Sequence, residues 1–532
     1  MLEIMQNNVV EWSYENDGKN IDLSAEVTDP ENKTRKLFSF LGGDNKIHFR
    51  YSSPVSGTHT VKIFNPDGTF NGKSEEITVT PYSGENSLYQ HGPIKVSDNN
   101  KHFIHNDGKP FFYLADTWWY ALTKRIQMGD GFEDVIADRV EKGFNAIQLC
   151  VGMYPEMLWH DEVGVNEAGY PWTEDMSEIN PAYFDEADRK IQCIVEAGLV
   201  PFIVGSWGHH AFVLGTENMN KHWKNIIARW SAYPVMWCLS GEATQQLCKN
   251  RPGEPPVEFY DYVPIIRQIW TDIGRYVRAN DPFNRLITMH SRNYGTSDVL
   301  DESILDFDCL QTGHSAYNSM LGTIQICKTA CERRRMPVIN DEVCYEGICG
   351  SSGADIIRYS FLVSFCIGTI GHGYGANGIW QMNTPEAPFY NPRNKLSWGN
   401  TTWKDAYKLP GSRQAGNIKK LIEKLDWWNF RPHPEWLEKH CNYENLDNNF
   451  ACGSDETRFI FAPFLGKTLI GALLMKKLEK NVDYYTYLYN PIDHELIDCG
   501  ITNADERGEC RTPMVTLIQD WVVVMSKKKI SL

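Results

Sequence analysis

The 532-residue sequence predicts an α/β chain: a (β/α)8 TIM barrel flanked by two small all-β sandwich domains. Eight apolar runs of strand length alternate with amphipathic stretches through the middle of the chain, the signature of a parallel sheet buried on both faces. Both ends carry shorter alternating runs set apart by turn residues. The length allows it, because one barrel takes about 250 residues and small sandwiches about 100 each. The expected boundaries are 1–82, 83–428 and 429–532.

The N-terminal runs are Asp22–Thr28, Lys46–Tyr51, His59–Phe64 and Glu76–Thr80, with a turn at Asn65-Pro66-Asp67-Gly68. Residues 81–86 form a linker, and Asn106-Asp107-Gly108 marks a hairpin. The eight barrel runs are Phe111–Ala115, Phe144–Val151, Leu199–Val204, Val235–Leu239, Arg285–His290, Phe307–Gln311, Met336–Asn340 and Thr369–Tyr374. Helical periodicity appears between them, as in Phe132–Lys142 and Tyr183–Val195. An open doubly wound sheet is the competing topology, but no glycine-rich dinucleotide fingerprint follows the first run. The C-terminal runs are Arg458–Ala462, Thr468–Leu473, Tyr484–Tyr489 and Asp520–Met525.

Lys+Arg number 52 and Asp+Glu 68, a balance of −16, which argues against nucleic acid or an anionic membrane as partner. The first residues lack a basic and then apolar leader, and the apolar stretch Tyr359–Trp380 is broken by glycines, so no signal peptide or membrane span is expected. Fourteen thinly spread cysteines, several inside apolar runs, suit a reducing compartment, and a cytoplasmic location is expected. Composition does not address oligomeric state.

A barrel of this kind works where its strands end. Strand 1 runs into Asp116, Trp118 and Trp119; strand 3 into Trp207, His209 and His210; strand 5 into His290. Strand 6 ends at Gln311 and His314, strand 7 at Asp341, Glu342, Tyr345 and Glu346, and strand 8 at Tyr374 and Trp380. Glu242 closes strand 4, three steps around the ring from Glu342, so the two carboxyls face each other across the mouth. Two carboxyls flanking one acetal are what glycoside hydrolysis needs, and aromatic faces suit sugar rings. Asp116 is expected to bind a sugar hydroxyl, or else to cap the following helix. One of His209 and His210 is expected to bind sugar; adjacent histidines on a strand point apart and make a poor metal pair. His314 and Gln311 are expected to line the pocket. Tyr374 would support the nucleophile or fill core, and Asp341 and Glu346 are the alternative carboxylates. No metal, cofactor or Gly-x-Ser-x-Gly elbow is read from the sequence. The rival readings are a non-catalytic carbohydrate-binding barrel and a lyase or isomerase.

Five stretches together resemble the apiosidase-like glycoside hydrolases: Lys109–Trp119, Trp237–Ala243, Gln311–Ser315, Pro337–Gly347 and Gly373–Trp380. The flanking β segments resemble the sandwiches that accompany such barrels. The resemblance implies Glu242 as acid/base, Glu342 as nucleophile and a retaining mechanism. With no signal peptide expected, the expected substrate is an oligosaccharide or small glycoside of plant or microbial origin and not intact polymer. The chain departs from the family in having Ser240-Gly241-Glu242 where an aspartate follows Gly-Gly, and from the wider clan in having Gly241 where an asparagine usually precedes the acid/base.

Overall fold

The computed structural model describes residues 2–16, 22–157, 160–249, 253–333, 335–390, 397–438, 441–464, 472–515 and 517–532. Most of the predicted run Thr468–Leu473 lies outside them. Eight parallel strands close the barrel in chain order: β1 Tyr113–Thr117, β2 Ala146–Cys150, β3 Val200–Val204, β4 Met236–Gly241, β5 Ile287–His290, β6 Asp308–Gln311, β7 Val338–Glu342 and β8 Gly371–Tyr374. Among the described residues the seven long helices are α1 Phe132–Lys142, α2 Pro181–Glu196, α3 His209–Trp230, α4 Phe259–Asn280, α5 Tyr317–Arg333, α6 Ala354–Ile367 and α7 Pro410–Ile422. Each predicted barrel run contributes one strand. The first is shifted: Pro110–Phe111 pairs with Phe103–His105 in the hairpin expected around Asn106-Asp107-Gly108, and β1 begins only at Tyr113. The Phe103 ring meets Phe307 edge-on at 5.0 Å and helps plug the barrel's lower end.

The N-terminal part holds a five-stranded and a three-stranded sheet around their own core of Ala25, Val27, Ile47, Phe49, Val61 and Ile63. Arg50 fastens it to the barrel. Its guanidinium donates to Asp188 of α2 at 2.7 Å and to the Arg229 carbonyl of α3 at 2.8 Å, while Arg229 donates back to the Leu41 carbonyl.

The C-terminal part holds a six-stranded sheet and a two-stranded one. Strand alternation splits the large sheet's side chains: Phe459, Phe461, Val522 and Val524 join the barrel's core, while Ile460, Val523 and Met525 form a separate core on the other face. The barrel-side face covers α6, which is buried all round; Phe365 meets Phe459 at 5.1 Å and Tyr359 meets Phe461 at 5.8 Å. That covering explains an apolar run of almost membrane-like character. No helix among the described residues is long and apolar enough to cross a membrane.

Candidate active site

Two register breaks shape the mouth. On β4, Cys238 pairs with Thr288 but Gly241 pairs with His290, so β4 carries one extra residue. On β7, Leu310 pairs with Asn340 but Gln311 pairs with Glu342, so β7 carries one as well. Such bulges re-aim the side chains near them. After the first, Glu242 leaves the strand at φ 43°, a left-handed conformation unusual for a side-chain-bearing residue, held by its N–H donating to the His290 carbonyl at 2.6 Å. After the second, Asp341 faces Cys309 inside the barrel while Glu342 turns to the mouth.

Glycines make room for both. A Cβ on Gly373 of β8 would sit 1.9 Å from the Asp341 carbonyl oxygen, and one on Gly241 would strike the Trp207 ring at 2.3 Å. Trp207 therefore fills the space beside Glu242 that any side chain at position 241 would need. Gly373→Ala is expected to cost about 3 kcal/mol or more, because backbone must yield rather than a side chain. Urea unfolding would measure the loss, and a shift of β7 would also lower turnover.

The glutamates meet on the floor of a cleft of about 830 Å³, in the size range of small-ligand sites. Gln311 bridges them: its Nε2 donates to Glu242 Oε1 at 3.0 Å and also to Glu342 Oε1. His314 Nε2 lies 2.8 Å from Glu342 Oε1, Tyr345 donates its hydroxyl to Oε2 at 2.5 Å, and His290 Nε2 lies 3.0 Å from Oε2. Trp119, Trp207, Tyr345 and Trp380 form an aromatic wall, and Trp119 and Trp207 also enclose His290.

This environment drives the two carboxyls apart. Burial, and then the nearby Glu342 charge, raise the pKa of Glu242. Burial acts upward on Glu342 too, but His290 and His314 outweigh it and hold Glu342 well below the usual carboxylate range. Burial pulls His314 down, yet Cys344 and Glu342 outweigh it and push His314 up to about 10. A carboxyl with a raised pKa beside one with a lowered pKa is the division an acid and a nucleophile require.

A family model described as the apiosidase-like catalytic domain matches residues 97–429. The chain belongs to the apiosidase-like family of glycoside hydrolases. No curated protein matches it. Among solved structures, this apiosidase-like enzyme is similar to a glycoside hydrolase at 20% identity, covering 82% of this chain and 97% of that one with a TM-score of 0.66. A glycoside hydrolase family 5 structure from Bacteroides vulgatus ATCC 8482 matches at 20% identity and TM-score 0.66, covering 82% and 94%. Another from that organism, described as a candidate glycoside hydrolase, matches at 17% identity and TM-score 0.71, covering 99% and 100%. At these identities the likeness concerns the fold.

Eight of the residues singled out in the sequence of this apiosidase-like enzyme line the cleft: Glu242, Glu342, Trp119, Trp207, Gln311, His314, Tyr345 and Trp380. His290 sits behind Glu342. The others lie elsewhere. Asp116 is fully buried, accepting from Arg139 Nε at 2.5 Å and from Trp118 Nε1 at 2.7 Å, which also draws Trp118 into the core. His209 and His210 open α3 instead of ending a strand, and their rings lie together at 4.0 Å instead of pointing apart. Glu346 accepts from the Gly411 N–H at the start of α7, and Tyr374 donates its hydroxyl to Glu346 at 2.7 Å and not to Glu342. Tyr345 makes that contact instead.

The cleft also includes Arg292, two residues past the end of β5, and Glu156 and Trp398, which strand-end reasoning passed over. Glu156 lies in the loop that follows β2 and Trp398 in the long segment after β8, and they meet across the rim, Trp398 Nε1 donating to Glu156 at 3.1 Å. Donor atoms of His290, Cys309 and Asp341 lie within 4.8 Å of one another beneath the floor. Burial pushes the Cys309 thiol far up, and it donates its hydrogen to Asp341 at 3.4 Å, so the trio is held together by hydrogen bonding.

Proposed function

We propose that the enzyme cleaves a glycosidic bond of an oligosaccharide or small glycoside by retaining double displacement. Glu342 attacks the anomeric carbon; Glu242 protonates the departing oxygen and then takes a proton from the incoming water. The Gln311 bridge carries this reading. One nitrogen within hydrogen-bond reach of both carboxylates limits their nearest oxygens to roughly 6 Å apart. Retaining enzymes hold their carboxyls about 5–5.5 Å apart, whereas inverting ones need roughly 6.5–9.5 Å to admit a water. Tyr345, His290 and His314 supply the contacts that keep the attacking carboxylate ionised and oriented.

The test is a survey of aryl glycosides, followed by proton NMR of the first product formed from the best of them. The expected product keeps the substrate's anomeric configuration. An inverted first product would exclude the covalent route. The sign of the pKa shifts also sets the pH profile. Glu342, held low, stays reactive far into acid, and activity falls on the alkaline side as Glu242 loses its proton through a raised pKa.

A further inference from the structure

Beneath the cleft floor, three buried side chains from β5, β6 and β7 form a chain of contacts that ends at Glu342. Asp341 Oδ2 accepts the Cys309 thiol hydrogen at 3.4 Å, Cys309 Sγ lies 3.7 Å from His290 Nδ1, and His290 Nε2 lies 3.0 Å from Glu342 Oε2. His290, Cys309 and Asp341 are all fully buried.

A thiol has one hydrogen, and a carboxylate is a far better acceptor than a neutral imidazole nitrogen. Once Cys309 gives that hydrogen to Asp341, its sulfur can only offer a lone pair to His290. Nδ1 must then carry a hydrogen. On the other side of the ring Nε2 lies 3.0 Å from a Glu342 oxygen without hydrogen-bond alignment, and the charge of that carboxylate favours a proton on Nε2. Both nitrogens protonated means an imidazolium, flanked by two carboxylates contributed by neighbouring residues of one bulged strand.

We propose that Asp341 and Cys309 are positioning residues that act through His290, fixing it as the imidazolium that orients and charges the Glu342 carboxylate. This rests on the reading of Glu342 as the attacking group. The ionisable groups around His290 are Glu342 and Asp341 on β7, Cys309 on β6 and Glu242 at the end of β4, with Tyr113 of β1 acting on Asp341 and Arg292 acting on Glu242. Burial acts downward on His290, but Glu342, Asp341 and Glu242 outweigh it and raise its pKa. Burial pushes Asp341 up to about 6, with His290 pulling the other way. Its charge is therefore present above about pH 6 and lost below. The influence of Asp341 on His290 has the same window.

The decisive experiment titrates His290 by NMR in full-length protein labelled at histidine nitrogens, with His290→Gln assigning the signal. Both nitrogens should remain protonated through neutral pH in the native protein. Asp341→Asn and Cys309→Val should each lower the midpoint by at least one pH unit, and Cys309→Ser, which still donates and accepts, should restore most of it. In turnover, Asp341→Asn should match the native enzyme below about pH 6 and fall about tenfold behind it at pH 8, in kcat and not KM. Unchanged His290 titration in both Asp341→Asn and Cys309→Val would overturn the proposal, as would a loss of turnover equal at every pH, which is what a packing defect would give. The titration needs no substrate, so it decides the matter even if no glycoside is cleaved; failure of the glycosidase reading would show separately, as native protein inert toward every glycoside.

Discussion

Glu342→Gln is expected to lower kcat on any cleaved aryl glycoside by about 10⁴-fold or more, the scale seen when a nucleophile is removed. That is roughly 5 kcal/mol of lost transition-state stabilisation. The variant also removes the charge facing His290 and His314, so His314 should lose the elevation that Glu342 helps to give it. Glu242→Gln should behave differently. A substrate with a very acidic leaving group needs little help from an acid, so its first step should survive and its second should stall for want of a base. Added azide should then restore turnover and yield a glycosyl azide of retained configuration. Azide rescue in Glu242→Gln but not in Glu342→Gln would assign the two roles; near-native kcat in both variants would remove the mechanism altogether.

The barrel was legible because each strand is buried on both faces and so reads as a continuous apolar run. That Glu242 and Glu342 share a cleft followed from strand counting, since positions four and seven of eight face each other. What the sequence did not show is how the strands deliver them. The bulges on β4 and β7 are visible only as a slipped register, and the glycines that permit them, Gly241 and Gly373, look like any other strand-end glycines until the Trp207 ring and the Asp341 carbonyl are seen against them. Strand-end position also fails to tell a mouth residue from one turned into the wall. Tyr345 lies three residues past β7 and Tyr374 ends β8, yet only Tyr345 reaches Glu342. The partners that decide such cases are distant in the chain. Glu346 is claimed by Gly411, 65 residues on, and no local pattern announces it.

Asp116 is the sharpest instance, and it carries the second large expectation. Arg139 and Asp116 are both fully buried, and Arg139 also donates to the Tyr407 carbonyl at 3.0 Å. Arg139→Met should destabilise the protein by about 3–5 kcal/mol, because it strands a carboxylate in the core. Asp116→Asn added to Arg139→Met should recover much of that loss, since what hurts is the uncompensated charge and not the absence of a bond. Urea unfolding of both variants measures the pair, and kcat/KM of the folded fraction should stay within a few-fold of native in each. If instead Asp116→Asn alone raised KM steeply while leaving unfolding untouched, the carboxylate would be reaching substrate and the ion pair would be incidental. The buried geometry predicts the reverse: a stability defect with the substrate constants nearly unmoved, because this fully buried pair joins α1 to β1 and neither residue lines the cleft.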